Sequence, residues 1–205
     1  MKNKLFTLLC VLFSFSIFSF SQESISLFNG YSLDGWEITD LEGHGKVSIA
    51  DSCIILGVGN DITGINWLKE FPGTNYEITL EANRMEGSDF FCALTFPVKG
   101  SFLTLVVGGW RGSIVGLSSI DGYDAANNST GQVVFFDNNK WYPIRLRVTD
   151  ETVEAWINND KLVDFTIGTY RLGLRMEMQL SIPLGFATYQ TKGALRNIKM
   201  TLISQ

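Results

Sequence analysis

The sequence predicts an all-β protein, built as a two-sheet antiparallel jelly-roll sandwich. Runs of roughly five to ten residues rich in Val, Ile, Phe and Thr recur along the chain, separated by clusters of Gly, Asn, Asp and Pro. No stretch sustains the 3.6-residue apolar period of an amphipathic helix. About 12 to 14 strands of this kind, with no linker, repeat or low-complexity segment between them, are typical of a jelly roll.

Individual strands follow from the alternation of apolar and polar residues. Residues 76–82 alternate strictly, which predicts a strand with one buried and one wet face. Residues 90–96 are apolar on both faces and predict an inner strand that is covered from both sides. Residues 144–157 alternate around Asp150-Glu151 and predict a hairpin, and Asn158-Asn159-Asp160 predicts the next turn.

The first 21 residues are predicted to be a signal peptide that is removed. Lys2 and Lys4 form a short basic region, residues 5–20 form an apolar region, and Ser19-Phe20-Ser21 places small residues before a cleavage site. The apolar segment is shorter than the roughly 20 residues that span a bilayer, so we expect no membrane span. The mature chain, residues 22–205, is expected to be a single domain in the periplasm or outside the cell.

The charge balance of this mature chain is acidic. The whole sequence carries a net charge of −5, and loss of Lys2 and Lys4 with the signal peptide takes it to −7. Because nucleic-acid binding asks for a basic face, this balance argues against it. The remaining length, about 184 residues, fits one domain that buries roughly 70% of its unfolded surface. The sequence leaves the oligomeric state open.

The sequence offers few side chains that could form a metal site or a disulfide bond. Cys53 and Cys92 lie in apolar runs, and although an export compartment permits a bridge, such a pair more often behaves as two small hydrophobes. His44 is the only histidine, which rules out a multi-histidine zinc site. Asp121 and Asp124 lack the oxygen-rich spacing of a calcium loop. We therefore expect no cofactor, with a divalent cation as the open alternative.

The sharpest candidate for a functional segment is residues 171–180. Leucine or methionine occupies every even position, so in a strand Arg175, Glu177 and Gln179 would share one face, about 7 Å apart in succession. A cation, a carboxylate and an amide would then lie within reach of one sugar ring. A solvated polar face with a surface ion pair would give the same pattern.

The second candidate is the glycine-rich centre of the chain, residues 108–112 and 116–125. Glycines let a backbone approach a ligand closely. Trp110 could stack on the face of a sugar while Arg111 or Asp121 bonds its hydroxyl groups. Tight turns around a core tryptophan would explain the same residues without a ligand.

Motifs along the mature chain resemble one known family. They are Phe28-Asn29-Gly30 with Leu33-Asp34-Gly35-Trp36, the later Trp141-Tyr142 and Glu154-Ala155-Trp156-Ile157-Asn158, and Arg196-Asn197-Ile198. Over about residues 25–203 the chain is similar to the secreted 3-keto-disaccharide hydrolases, which include 3-keto-glucoside 1,2-lyase and 2-hydroxy-glucal hydratase domains. The resemblance implies a concanavalin A-like sandwich and a carbohydrate substrate. Residues 89–92 and 105–110 depart from the family's usual pattern.

What the resemblance implies is chemistry on sugars already oxidised at carbon 3. A ketone there acidifies the hydrogen on carbon 2, so one base can start elimination of the group on carbon 1, and water can then add to give net hydrolysis. Such a site needs a base, a cation or donor for the enolate oxygen, and a proton source. Glu177, Arg175 and Tyr189 fit these catalytic roles in type.

Other function classes stay open at this point. Retaining glucanases of this fold often carry a Glu-x-Asp-x-x-Glu strand. The nearest match in this sequence is Glu81 with Glu86, and no aspartate lies between them. The sequence therefore disfavours such an enzyme. A sugar-binding module without catalysis would need only aromatics such as Trp110 and hydrogen-bonding partners. A structural or surface-interaction domain would need neither.

Overall fold

The computed structural model describes residues 23–203 as two antiparallel sheets packed face to face. The predicted signal peptide, residues 1–21, lies outside the described residues. Within residues 23–203 there is no helix of the length and apolar character that a membrane crossing requires.

The described residues form fifteen strands with two short helical segments. The strands are β1 (Ser24–Ser26), β2 (Trp36–Ile38), β3 (Val47–Ala50), β4 (Cys53–Leu56), β5 (Ile62–Trp67), β6 (Tyr76–Glu86), β7 (Cys92–Val98), β8 (Ser101–Gly108), β9 (Ile114–Ser118), β10 (Gln132–Val133), β11 (Trp141–Val148), β12 (Thr152–Ile157), β13 (Asp160–Thr166), β14 (Gly185–Tyr189) and β15 (Lys192–Leu202). A helical turn, Gly109–Gly112, follows β8, and a 3-10 helix, Met176–Ser181, precedes β14.

The strand order confirms the predicted sandwich. One sheet has eight strands in the order β13-β12-β11-β6-β15-β4-β3, with β1 also paired to β15. The other has seven, in the order β10-β9-β8-β7-β14-β5-β2. The predicted hairpin is present, since Ile144 of β11 pairs with Ile157 of β12 and β13 follows through a tight turn.

The hydrophobic core lies between the two sheets, as the alternation predicts. In β6, residues 76, 78, 80 and 82 are buried and the residues between them are half-exposed. In β7 every residue is buried, because its two faces are covered by different layers. Leu94 and Phe96 face the core, where each fully buried side chain contributes about 1.5–3 kcal/mol, whereas Ala93 faces outward.

The outward face of the seven-stranded sheet carries a second, smaller apolar cluster. Ile62, Ala93 and Ala187 of this sheet pack there against Met178 of the 3-10 helix. Small residues meet across the sheet, since Ala187 pairs with both Gly64 and Ala93. The helix can therefore lie close to the sheet and leave a depression beside it.

The predicted strand over residues 171–180 is wrong. Residues 176–181 form the 3-10 helix, and its buried residues, Met178 and Ser181, are three positions apart as that geometry requires. Of the apolar residues at even positions, Met178 is 4% exposed but Met176 is 87% exposed. The apolar residues that recur at every second position are therefore not all buried. Arg175, Glu177 and Gln179 consequently do not share a strand face.

The two cysteines of the described chain are free thiols. Cys53 lies in the eight-stranded sheet and Cys92 in the seven-stranded sheet, and both are buried. Burial raises the pKa of the Cys92 thiol to about 12. Both residues act as small hydrophobes, and the disulfide left open by the sequence is not formed.

Candidate functional site

A cavity of about 460 Å³ opens on the outward face of the seven-stranded sheet. Its floor consists of outward-facing side chains on five strands: Ile62 of β5, Ala93 of β7, Thr104 and Val106 of β8, Ser118 of β9 and Tyr189 of β14. The helical turn Gly109–Gly112 forms one rim through Trp110, and the start of the 3-10 helix forms another through Arg175 and Glu177.

Four residues singled out in the sequence meet in this cavity. Trp110, Arg175, Glu177 and Tyr189 all line it, although they come from three separate segments of the chain. The strand that was expected to present Arg175 and Glu177 is absent, but the 3-10 helix begins between them and keeps both at the rim. The cavity thus holds a carboxylate, a guanidinium, a phenol and an indole.

The indole is held by an unusual turn. Trp110 has φ of 49° and ψ of 63°, and Arg111 has φ of 68°, so two consecutive non-glycine residues are left-handed. Such a conformation costs free energy and persists only where neighbouring groups enforce it. The carboxylate of Asp89 is one of them: its Oδ2 accepts the backbone N–H of Arg111 at 2.9 Å and its Oδ1 accepts that of Phe90 at 2.8 Å. Trp110 remains 38% exposed and faces the cavity.

A buried arginine supports this turn from the other side. Arg84 of β6 is 7% exposed and donates from Nη1 to the carbonyl of Gly112 at 3.5 Å, from Nη2 to the carbonyl of Phe136, and from Nε to Oδ1 of Asn138 at 2.6 Å. Within residues 23–203 it forms no salt bridge. Its charge is instead stabilised by these oxygen atoms, which fix the loop that carries Trp110.

Glu177 and Arg175 form a close ion pair at the rim. Nε of Arg175 lies 2.5 Å from Oε1 of Glu177, and Nη1 of Arg175 lies 3.2 Å from Oδ2 of Asp124. The side chains of Arg175 and Glu177 are 46% and 41% exposed, so both can reach a ligand in the cavity. Asp124 gives the guanidinium a second anchor that does not depend on Glu177.

Tyr189 lies at the end of β14, where its environment disfavours the phenolate. Partial burial raises the pKa of Tyr189, and the neighbouring carboxylates of Asp61 and Asp89 raise this pKa further by opposing a phenolate charge. A phenol of this kind is a hydrogen-bond and proton donor across the physiological pH range. Asp61, which also lines the cavity, precedes β5, the strand that pairs with β14.

Asp61 and Asp89 are the site residues that sequence reasoning missed. Each stands shortly before an apolar strand, β5 and β7, and both strands pair with β14. Their closeness to Tyr189 depends on that strand order, which the pattern of residues does not contain. An aspartate directly before a buried strand was the one available signal, and it is common in turns.

Three of the predicted substrate-binding residues do not line this cavity. The side chain of Arg111 is exposed outside it, and only its backbone N–H is used. Asp121 accepts the backbone N–H of Arg171 with Oδ1 at 2.8 Å, which is a structural contact. Gln179 is exposed within the 3-10 helix and is not among the residues that line the cavity. No group of three or more His, Cys, Asp or Glu side chains that could hold a metal occurs within residues 23–203.

The comparison with protein families decides the assignment. A model of the 3-keto-alpha-glucoside-1,2-lyase-like domain matches residues 23–201, nearly the whole described chain. The chain belongs to this family. The 3-keto-alpha-glucoside-1,2-lyase-like domain is a carbohydrate-active family, which agrees with the resemblance found in the sequence. No curated protein matches the chain.

Solved structures support the fold of this 3-keto-alpha-glucoside-1,2-lyase-like domain. A candidate glycosyl hydrolase from Parabacteroides distasonis has 16% identity and a TM-score of 0.58, over 88% of this chain and 94% of that one. The carbohydrate-binding module CBM66 from Bacillus subtilis has 10% identity and a TM-score of 0.52, over 82% and 95%. The Crh5 transglycosylase in complex with NAG has 12% identity and a TM-score of 0.58, over 90% and 85%. At these identities the likeness is one of fold, and it includes both enzymes and binding modules.

Proposed function

We propose that the protein cleaves 3-keto-glycosides by elimination across carbons 1 and 2, followed by hydration. The observation that carries the proposal is the convergence of Glu177, Arg175 and Tyr189 in one cavity beside an exposed tryptophan. These groups supply the base, the cation and the proton donor that elimination next to a ketone requires. Family membership supports the same chemistry.

In the proposed first step the Glu177 carboxylate removes the hydrogen from carbon 2. The electron pair of that C–H bond forms an enolate with the ketone at carbon 3, and the Arg175 guanidinium stabilises the oxygen anion. The enolate then returns its electrons to form the C1–C2 double bond and expel the group on carbon 1. Tyr189 gives its proton to the departing oxygen. The product is an unsaturated ketone and a free alcohol.

The charge of the ion pair at the rim changes during this step in a way that favours the enolate. When Glu177 takes up the proton it loses its charge, which weakens its attraction for Arg175 and leaves the guanidinium available to the enolate. Asp124, 3.2 Å from Nη1, holds the guanidinium in place meanwhile. In the second step the Tyr189 phenolate takes a proton from water as the water oxygen bonds carbon 1, and Glu177 returns its proton to carbon 2, so both residues end in their starting states.

A second candidate function is sugar binding without turnover. Glu177 and Arg175 already satisfy each other at 2.5 Å, and the half-exposed Trp110 alone could stack on a sugar ring. A binding module of the same fold is among the similar structures. In this case the cavity would take the sugar intact and the ion pair would only bond its hydroxyl groups.

The deciding experiment is incubation of the purified mature protein with 3-keto-glucosides, with the absorbance of the conjugated enone followed over time. Enone formation by the wild type, and its loss in Glu177→Gln, supports the elimination. Glu154→Gln is the matched control, because Glu154 forms an equally short ion pair with Lys161 but lies on the eight-stranded sheet. Saturable binding with no enone and no released alcohol would instead establish a binding module.

A further inference from the structure

A second cavity, of about 500 Å³, adjoins the first. Arg175 and Glu177 line both cavities. Ser118 lines the first cavity, and the next residue along the chain, Ser119, lines the second. The two cavities therefore meet at the ion pair. A ligand that is cleaved beside Glu177 has room for one part on each side of that boundary.

The floor of the second cavity is held rigidly by backbone hydrogen bonds. Ser119 and Gly173 exchange two of them, at 2.8 and 3.1 Å. Asp121 bonds Arg171 twice, by donating its N–H to the carbonyl of Arg171 at 2.8 Å and by accepting the N–H of Arg171 at its carboxylate at 2.8 Å. The segment that carries Arg171 is thus fixed before any ligand arrives, which lowers the entropic cost of binding.

The lining of the second cavity combines a free donor with apolar surface. The guanidinium of Arg171 projects beside Gly122 and makes no hydrogen bond or ion pair with another group in the 23–203 range. Met176 is 87% exposed, and the half-buried Leu174 stands near it. A sugar ring has this same combination of hydroxyl groups at its edge and an apolar C–H face.

We propose that the second cavity binds the leaving group of the reaction, a sugar unit, and that Arg171 determines the preference for it. This assignment rests on the proposed function. The 3-keto ring would lie in the first cavity against Trp110, and the bond from its carbon 1 would cross the boundary at Glu177. Arg171 would donate to hydroxyl groups of the departing sugar, and Met176 would contact its C–H face.

The test compares Arg171→Ala with the wild type on two substrates that differ only in the leaving group. One is a 3-keto-disaccharide and the other is the methyl 3-keto-glucoside, whose methanol leaving group cannot reach Arg171. We expect KM for the disaccharide to rise about tenfold with kcat nearly unchanged, because a contact outside the reacting atoms contributes to ground state and transition state alike. Both constants for the methyl glycoside should stay at wild-type values.

Two further variants make the result specific. Met176→Ala should shift KM in the same direction for the disaccharide alone, and it tests the cavity independently of any charge. Lys140→Ala removes a surface cation that lies outside both cavities and should change neither substrate. Melting temperatures of all variants should match the wild type, because the three side chains are exposed.

An equal change for both substrates in Arg171→Ala, or no change for the disaccharide, would overturn the leaving-group site. If the wild type turns over neither substrate, the proposed function itself fails, and calorimetric titration with the 3-keto-disaccharide then tests the second cavity alone. Weaker binding by Arg171→Ala than by the wild type would support a sugar site there. Equal binding would overturn it.

Discussion

Oδ2 of Asp89 accepts the backbone N–H of Arg111 at 2.9 Å, and this contact joins the segment before β7 to the turn after β8. The same carboxylate lines the cavity and helps to raise the pKa of Tyr189. One side chain therefore holds the backbone of the turn that carries the tryptophan and contributes to the raised pKa of the phenol. Its removal should therefore change both.

Asp89→Ala should loosen the turn that carries Trp110. We expect weaker sugar binding by about tenfold, and a loss of about 1–2 kcal/mol of stability, equivalent to roughly 2–8 °C in Tm for a domain of this size. Titration with tryptophan fluorescence and a thermal melt measure the two effects. Asp89→Asn keeps one acceptor oxygen, which can bond the N–H of Arg111 but not that of Phe90 as well, and should retain part of both. Equal damage by the two variants would show that one retained acceptor does not hold the turn.

Gly112→Ala should destabilise the same turn through backbone geometry. Gly112 has φ of +96°, and a Cβ there would lie 2.6 Å from Nη1 of Arg84 and 2.8 Å from the carbonyl oxygen of Ser88. We expect a cost of about 1–3 kcal/mol, measured by urea unfolding. Gly73→Ala is the control, because a Cβ at Gly73 meets nothing within 4 Å. Equal stability of the two variants would mean that the turn relaxes freely.

Glu177→Gln should reduce turnover strongly without lowering stability. Loss of a base that acts in the transition state costs about 10² or more in rate, whereas an ion pair between half-exposed groups contributes less than about 1 kcal/mol. The measurements are enone formation and the melting temperature. Near wild-type turnover in the variant would assign the base to another carboxylate of the cavity, with Asp61 next to be tested.

The effect of Tyr189→Phe on kcat should depend on the leaving group of the substrate. A methanol leaving group needs a proton, whereas p-nitrophenol leaves as an anion, so the variant should lose at least tenfold in kcat on the methyl 3-keto-glucoside and little on the p-nitrophenyl one. Similar losses on both substrates would argue against proton donation by Tyr189.

The pH dependence of the methyl substrate provides a second test of Tyr189. Because its pKa is raised in the folded protein, the phenol keeps its proton to a higher pH than the ordinary value of about 10. The stability linked to this group is complete below that ordinary pKa and is lost as pH rises through the folded one. Proton donation should follow the same course, so wild-type activity should decline only above about pH 10. A decline near neutral pH would place the proton source elsewhere.

The sequence predicted the sandwich well because burial alternates in β6 as its side chains do, and β7 is buried throughout where the sequence is apolar on both faces. It failed at residues 171–180, where alternating leucine and methionine indicated a strand but only Met178 and Ser181 of the 3-10 helix are buried. A local pattern cannot distinguish these cases when one apolar residue packs and its neighbours face solvent. Arg175 and Glu177 nevertheless form an ion pair, since Arg175 is the extended residue that precedes the helix and Glu177 lies in its first turn.

The aspartates of the cavity could not be predicted by the same means. Asp61 approaches Tyr189 because β5 pairs with β14, and Asp89 does so because β7 pairs with the other edge of β14. Both contacts are set by strand order between segments about a hundred residues apart. Apolar alternation fixes which face of a strand is buried, but it carries no information on which strands are neighbours.

The strand order also has a consequence for biogenesis. β14 joins β5 to β7, and β15 joins β4 to β6, so the last two strands complete both sheets. Until residues 185–202 have been synthesised, each sheet is split in two and exposes inner strands as unpaired edges, which are prone to aggregate. Neither sheet can therefore close into its native strand order before β14 and β15 have left the ribosome, so the earlier strands must wait for them.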